Sequence, residues 1–471
     1  YKFWMLTIYQ ESLISRPLGT GGVISLPFWI GLLILSAIVC LCVAVSFKRA
    51  NTLFRQPQYL WIAAICMSVG AALLFIWMDT AFDRQSMAWF MYGLATLFLS
   101  LGTIGLHIEL GRIFGFLGMR QTILYNILCL LLGIALIVIV SCLPLLFRWS
   151  ILTVTPFILI ALLKKGMMTL PVAKIYCDDH EEELRIPYRF MATSLLQGIS
   201  FGLVCGTLLF FDNPASGVAE IVACAFVAAV LVALTTLVLK LDFNRLIYRI
   251  GFLLLAFGLF CFPLSQAFAV LGTMFQIIGY FYLDLVLWGL GSYLIKNRRQ
   301  PATWVASCPT AALMAGRTIG AFMSVFGLQS PVISAHLQVY TSGMALLLLV
   351  AALFLTNKEN LRLGWGFIQP SSYEENDLER QTCSYIAQEH GLTKREEEIM
   401  LLMAQGLTRQ SICSQLYVAP NTIKTHIHGI YRKLNVHSQE DMRHLVNKSK
   451  KMFDSLEAKG QDTPIWDKQE S

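Results

Sequence analysis

Apolar residues follow two patterns along this chain. Up to about residue 356 they form long runs broken by short polar stretches. After about residue 390 they recur every three or four positions within short segments. Runs of membrane-spanning length lie at about 23–47, 58–79, 86–106 and 122–143, with a shorter one at 146–163. Six more lie at 188–211, 216–239, 246–265, 268–295, 303–327 and 333–356. A helix needs ~20 apolar residues to cross a bilayer's hydrocarbon core, so the pattern predicts eleven spans. Residues 363–390 turn polar, with Gly364, Gly366, Pro370 and the acidic group Glu374, Glu375, Asp377 and Glu379. That stretch reads as a tether with a short helix toward Ile386.

The last segment is built of short amphipathic helices. Thr393 and Glu396 have capping-box spacing. Ile399, Leu402 and Met403 then share one face, and Gly406 ends the helix. Thr408 caps a second helix that turns Ile412 and Leu416 inward, and a bend follows at Tyr417 and Val418. Pro420 suits the first turn of a third helix. There Ile423, Ile427, Ile430 and Leu434 form an apolar stripe opposite Asn421, Lys424, Thr425 and His428. A final helix runs from Ser438 to about Asn447, and the chain after Lys451 is polar tail. Helix, tight turn and second helix with polar forward residues is an arrangement that enters a DNA major groove. Residues 392–451 hold ten Lys and Arg against five Asp and Glu, a net +5 suited to phosphate attraction. Periodicity alone also leaves open a four-helix docking module with a solvated basic face.

The wording of this segment is more specific than its period. LTKREEEIMLLMAQGLT, the turn ICSQLYV and NTIKTHIHGIYRKLNV closely resemble the C-terminal DNA-binding domain of LuxR-type transcription regulators over roughly 390–448. The resemblance implies a scaffold helix at Gln410–Leu416 and a recognition helix at Pro420–Leu434. It implies base-reading roles for Lys424, Thr425 and His428, with Asn421, Thr422 and Arg432 completing the DNA-facing set. His426 matches a well-kept family histidine and is assigned a backbone-facing or structural role. Pairing of two copies through the last helix is implied as well, with Ser438, Asp441, Met442 and Leu445 as candidate contacts. Two departures bear on affinity. Ala419 stands where the family usually has a capping Ser, and losing such a cap costs about 1 kcal/mol. Gln410-Ser411 stands where Lys-Glu is usual.

Composition fits the first pattern. The chain has 471 residues with only 14% charged and a mean hydropathy of +0.62, which marks a polytopic membrane protein. Twelve cysteines lie scattered, mostly in apolar runs, without a CxxC pair, which reads as reduced packing residues rather than a disulfide framework or metal site. Basic residues cluster in alternate loops: Lys48, Arg49 and Arg55; Arg112 and Arg120; Lys164, Lys165 and Lys174. The alternation continues with Lys240, Arg245 and Arg249; Lys296, Arg298 and Arg299; Lys358 and Arg362. The positive-inside rule places these loops, and with them the last domain, in the cytoplasm of a bacterial inner membrane. The same alternation calls for one span before the first visible run, with YKFWMLTIYQ as the end of a partial helix. The polar segment Cys177–Arg185 would then divide six spans from six. That layout over residues 1–356 resembles the major facilitator superfamily, although the family's loop motif of Gly, Asp and paired basic residues is missing from Phe47–Pro57.

Charges inside apolar runs are costly and therefore informative. Asp284 and Arg317 lie near the middle of two spans, and a pair between them would neutralise both. Gln197, Gln276 and Asn126, with Glu220 and His336, are placed to line the same interior. They form either a small-molecule pocket or internal polar glue. His107 and Glu109 fall near a helix end, where solvation accounts for them. There is no phosphate loop, no triad spacing and no second histidine after His180–Glu183, so no enzyme and no cofactor is expected. The expectation is an all-α chain: a major-facilitator-like two-bundle membrane domain at 1–356, a linker at 357–390, a small soluble four-helix LuxR-type domain at 391–449, and a tail at 450–471. As a function this reads as a membrane-bound one-component transcription regulator. Its partners would be double-stranded DNA, the bilayer and a small-molecule ligand, and it would pair as a homodimer on DNA. The alternatives are a transporter with an attached DNA-binding domain and a membrane-tethered protein-interaction module.

Overall fold

The computed structural model describes residues 2, 28–54, 58–79, 85–167, 188–210, 218–261, 264, 266–298, 300–329, 336–355, 382–383, 386–387, 389–404, 407, 409–416, 418 and 420–460. Among these residues every regular element is helical. The chain divides into two compact units, Tyr1–Ser371 and Ser372–Ser471.

In the first unit the helices are α1 (Phe28–Val45), α2 (Phe47–Phe54), α3 (Tyr59–Asp79), α4 (Gln85–Leu117), α5 (Met119–Ser141) and α6 (Leu145–Met167). They continue with α7 (Tyr188–Phe210), α8 (Val218–Ala233), α9 (Phe252–Cys261), α10 (Gln266–Arg298), α11 (Ala302–Gln329) and α12 (Leu337–Leu355). Wider π-type turns at Leu234–Val238 and Arg245–Gly251 extend α8 and lead into α9. Among the described residues, each apolar run contains a helix. Six stretches among the described residues are long and apolar enough to cross a membrane: Tyr59–Trp77, Trp89–Leu117, Met119–Ser141, Leu145–Met167, Ala219–Val238 and Phe268–Lys296. These six fall within six of the eleven expected runs. α1 and α12 hold shorter apolar stretches, while α7 and α11 carry buried Gln197, Ser307 and Arg317. Leu41, Leu128, Leu132, Leu146, Leu353 and Phe354 are each more than half exposed. Apolar exposure on that scale suits lipid as the surrounding solvent. The polar segment Cys177–Arg185 lies outside the described residues.

The interior of this unit is held by close backbone approach as well as by apolar packing. A Cβ added at Gly198 would sit 2.9 Å from the Arg317 nitrogen, and one at Gly202 2.9 Å from the Arg317 Cα. A Cβ at Gly316 would sit 3.1 Å from the Ile199 nitrogen, and one at Gly320 2.7 Å from the Leu203 nitrogen. Two glycine pairs, each four residues apart, therefore face one another across α7 and α11 with no room for a side chain, the small-residue packing that brings membrane helices together.

The polar groups of this unit sit elsewhere than expected. Asp284 pairs with Lys2, not with Arg317. Arg317 instead donates to the Tyr280 hydroxyl and lies over the Tyr280 and Phe201 rings. The expected pair fails because Arg317 is engaged by aromatic groups of α7 and α10. Glu109 and Arg112, expected in solvent or a loop, are 0% and 1% exposed and form an ion pair at 2.9 Å inside α4. Arg112 also donates to the Thr303 hydroxyl of α11 at 2.8 Å. α4 runs on to Leu117, well beyond the apolar run that ends near 106, and carries these residues into the interior.

The second unit contains α13 (Lys394–Ala404), α14 (Arg409–Leu416), α15 (Pro420–Leu434) and α16 (Gln439–Gly460). Its core gathers Ile399, Met403, Ile412, Ile423, Ile430 and Val446. Cys383, Ile386 and Ala387 join the same core at 1–3% exposure, so the end of the expected tether is structural. Replacing Ile386 with alanine removes a buried side chain and is expected to destabilise residues 372–471 by about 2–4 kcal/mol, measurable by urea unfolding. α16 extends well past Asn447, because the sequence stays rich in Lys, Met, Leu, Glu and Ala, with neither Gly nor Pro until Gly460.

Candidate nucleic-acid interface and membrane cavity

α13 begins with the box its spacing predicts. The Thr393 backbone N–H and hydroxyl both donate to Glu396 Oε2, at 2.8 and 2.9 Å. The Glu396 N–H returns a bond to Thr393 Oγ1 at 3.3 Å. Glu396 then accepts Lys433 Nζ at 2.7 Å, which ties the start of α13 to the end of α15. Three of the turns that follow helical segments close with the same bond across five residues: Leu392 to Ala387 (2.8 Å), Leu407 to Leu402 (3.1 Å) and Val418 to Cys413 (3.2 Å). The end of α15 does likewise, from Val436 N–H to Tyr431 O at 3.0 Å. Asn435, at φ 53°, supplies the left-handed residue that such a helix end requires. Gly406, Thr408, Tyr417 and Ala419 lie outside the described residues.

Burial raises the Glu396 pKa, but the Lys433 and Thr393 hydrogen bonds outweigh it and hold the carboxyl down at about 2, against an ordinary 4.5. A carboxyl depressed in the folded state supports folding fully above about pH 4.5, and that support is lost as pH falls toward 2. In urea titrations of residues 372–471, stability is expected to fall across this window. Glu396→Gln should flatten the fall and cost roughly 2 kcal/mol at pH 7.

These contacts fix the roll of α15 about its axis. Ile423, Ile427, Ile430 and Leu434 are buried, so the opposite side must face out. At about 100° per residue, Asn421, Thr425, His428 and Arg432 fall on that opposite side, with Lys424 and Thr422 on its two flanks. All six are exposed. The Thr425 hydroxyl donates to Asn421 O at 3.0 Å, which leaves its methyl and oxygen lone pairs outward. Exposed amide, ammonium, hydroxyl, imidazole and guanidinium groups on one stripe are the donor set that reads base edges and phosphates. His426, on the edge between the two faces, is half-buried.

The last helix places its candidate pairing residues differently from one another. Ser438 Oγ accepts the Asp441 N–H at 3.0 Å, and Asp441 Oδ2 accepts the His437 N–H at 3.3 Å. The Ser438 and His437 bonds hold the Asp441 carboxyl below its ordinary range. Met442 is 0% exposed in the domain's own core, which keeps it from a second copy. Leu445 is half-buried.

In the membrane unit, a cavity of about 70 Å³ lies among α4, α7, α10 and α11. Of the expected pocket residues, Gln197 and Asp284 line it, joined by His107, Ser194, Trp288 and Thr310, which were not anticipated. Asn126, Gln276 and Arg317 do not line it. Asn126 donates to Thr122 O at 2.9 Å, Gln276 accepts from the Ser200 hydroxyl at 3.0 Å and donates to Leu255 O, and Arg317 is held by Tyr280. For these three the polar-glue reading describes their contacts. Among the described residues no cluster of three or more His, Cys, Asp or Glu is arranged to hold a metal.

Residues 390–446 match the family model for bacterial regulatory proteins of the luxR family. The chain is 44% identical over 48 residues to a nitrate/nitrite response regulator protein homolog of Haemophilus influenzae, which is 10% of this chain and 23% of that protein. It is 42% identical over 62 residues to the transcriptional regulatory protein LiaR of Bacillus subtilis, 12% of this chain and 29% of LiaR. It is 46% identical over 43 residues to the uncharacterized transcriptional regulatory protein YxjL of Bacillus subtilis, 9% of this chain and 20% of YxjL. The chain thus spans less than a third of each relative, and the likeness is one of the small domain. Neither that domain nor a helical membrane bundle is a catalytic family. The four short helices, the outward stripe of α15 and the match over 390–446 together identify a LuxR-type helix-turn-helix domain carried by a polytopic membrane protein.

Proposed function

We propose that this protein is a membrane-bound one-component transcription regulator. Its α15 binds promoter DNA, and its membrane unit senses a small molecule. The observation that carries the reading is the exposed set Asn421, Lys424, Thr425, His428 and Arg432 on a LuxR-type domain, in one chain with six long apolar helices among the described residues. The relatives that share the domain are named as a response regulator and transcriptional regulatory proteins, and regulation of transcription is carried over from them as part of this proposal. The basic loops support a cytoplasmic side for the domain under the positive-inside rule, where DNA is. Pairing on DNA runs through the exposed side of α16 around Asp441 and Leu445. One large apolar cluster lies on α5 and α7–α12 and another on α1, α3, α4 and α6, which apart from α5 follows the division of the spans at Cys177–Arg185.

The test is a gel shift with residues 372–471 against DNA upstream of the gene and its neighbours. A specific shift is expected, and its absence on all such DNA would remove the regulator reading. The intramembrane ion pair of Asp284 and Lys2 also fits a transporter. Uptake into proteoliposomes at rates above empty vesicles would favour that alternative.

A further inference from the structure

A carboxylate among membrane helices needs a cation, since burying it alone is costly. Here the cation is Lys2. Its ammonium pairs with Asp284 and lies 5.9 Å from the centre of the Trp288 ring. Asp284 and Trp288 are four residues apart on α10, so carboxylate and indole share one face. The His107 ring packs on Trp288 at 4.7 Å and is held by Thr310 at 3.0 Å. Anion plus aromatic face is the recognition chemistry of an ammonium group. Beside it, Gln197 is 0% exposed, and its Oε1 has no hydrogen-bond partner among the described residues. Gln197 Nε2 is already committed to Tyr280 O at 3.2 Å. The cavity therefore offers an acceptor to a donor that the described residues do not supply. Its 70 Å³ is to be set against the roughly 10–15 Å³ that one water requires, so there is room for a few heavy atoms even with the lysine in place.

We propose that this cavity binds an organic amine in its ammonium form. The ligand's cationic head replaces the Lys2 ammonium between Asp284 and Trp288, a second donor reaches Gln197 Oε1, and its apolar body lies along Phe190 and Leu313. Lys2 is then a built-in competitor that holds the site in its ligand-free arrangement. The proposal rests on the sensor reading and gives it a substrate class.

The test is calorimetric titration of the full chain in lipid nanodiscs. The probe is n-butylamine, the chemical equivalent of a lysine side chain, with 1-butanol, butyrate and sodium chloride as comparisons. Saturable binding of the amine alone is expected. Lys2→Ala should tighten it about tenfold, the factor lost when a competing state holds ~90% of the molecules. Asp284→Asn should weaken it at least as much. Should Asp284→Asn fail to fold by gel filtration, Lys2→Ala decides. Binding of 1-butanol or sodium chloride equal to the amine, or no tightening in Lys2→Ala, overturns the proposal. Promoter occupancy separates the two layers. Amine binding in this pattern without a change in occupancy keeps the site and removes the sensor. A neutral or anionic metabolite that changes occupancy while butylamine does not bind keeps the sensor and removes the site.

Discussion

Gly202→Leu is expected to leave no folded membrane unit. A side chain at Gly202 would meet Arg317 backbone on α11, and the opposing Gly316 and Gly320 meet backbone of α7 in the same way. Backbone cannot rotate aside as a side-chain tip can, so the helices must separate. Separation would pull apart buried Leu203, Val204 and Ala321, each at most 3% exposed. It would also move Gln197 on α7 away from α10, where it bonds Tyr280. Overpacking ordinarily costs about 1–3 kcal/mol, and here two backbones collide over two turns, so more than about 4 kcal/mol is expected. The measurement is gel filtration and thermal unfolding of detergent-extracted protein. Gly202→Ala should show a smaller loss of the same kind. Gly343→Leu on α12, where an added Cβ meets nothing within 4 Å, should behave as the parent. Normal folding of Gly202→Leu would mean that α7 and α11 do not cross this closely.

The glycine spacing is visible in the sequence and signals the close approach of α7 and α11. Gly198 and Gly202, and Gly316 and Gly320, each have the four-residue interval of membrane-helix packing motifs. Glu109 and Arg112 stand at a helical pairing interval, yet the apolar run ends before them. The chain continued as helix and buried both. Lys2 was beyond reach for a different reason, since 282 positions separate it from Asp284. Hydrophobic runs give helices but not which helix faces which, so Asp284 is matched from sequence to Arg317, the basic residue that also lies near the middle of a span. The second unit was far more legible. Its helices are short and amphipathic, so period alone gives the buried stripe of α15 and hence its exposed side. Thr393 and Glu396 cap as their spacing requires. Lys433, 37 positions from Glu396, could not be paired with it from spacing. Met442 shows the limit of carrying roles from a resemblance: a position assigned to pairing is claimed by the domain's own core.

Replacing Lys424 and His428 together with alanine is expected to abolish specific DNA binding while leaving the fold intact. Both residues are exposed, and neither belongs to the core under α15. Surface changes of this kind alter stability by less than about 0.5 kcal/mol, so the unfolding midpoint of residues 372–471 should hold. A base-edge contact contributes about 1–3 kcal/mol, and about 1.4 kcal/mol is a factor of ten. The pair should therefore lower affinity for the preferred site at least about 30-fold, with a much smaller change on unrelated DNA. Arg432 lies two turns further along the same stripe, where a helix leaving the groove meets the backbone. Arg432→Ala should weaken binding to all sequences alike and reduce the salt-dependence slope by about one. The contrast between the two variants carries the argument. If the double variant weakens all DNA equally, α15 holds phosphates without reading bases, and the proposed promoter specificity must come from elsewhere. If neither variant changes binding, the outward stripe is a solvated face, and the domain docks on protein.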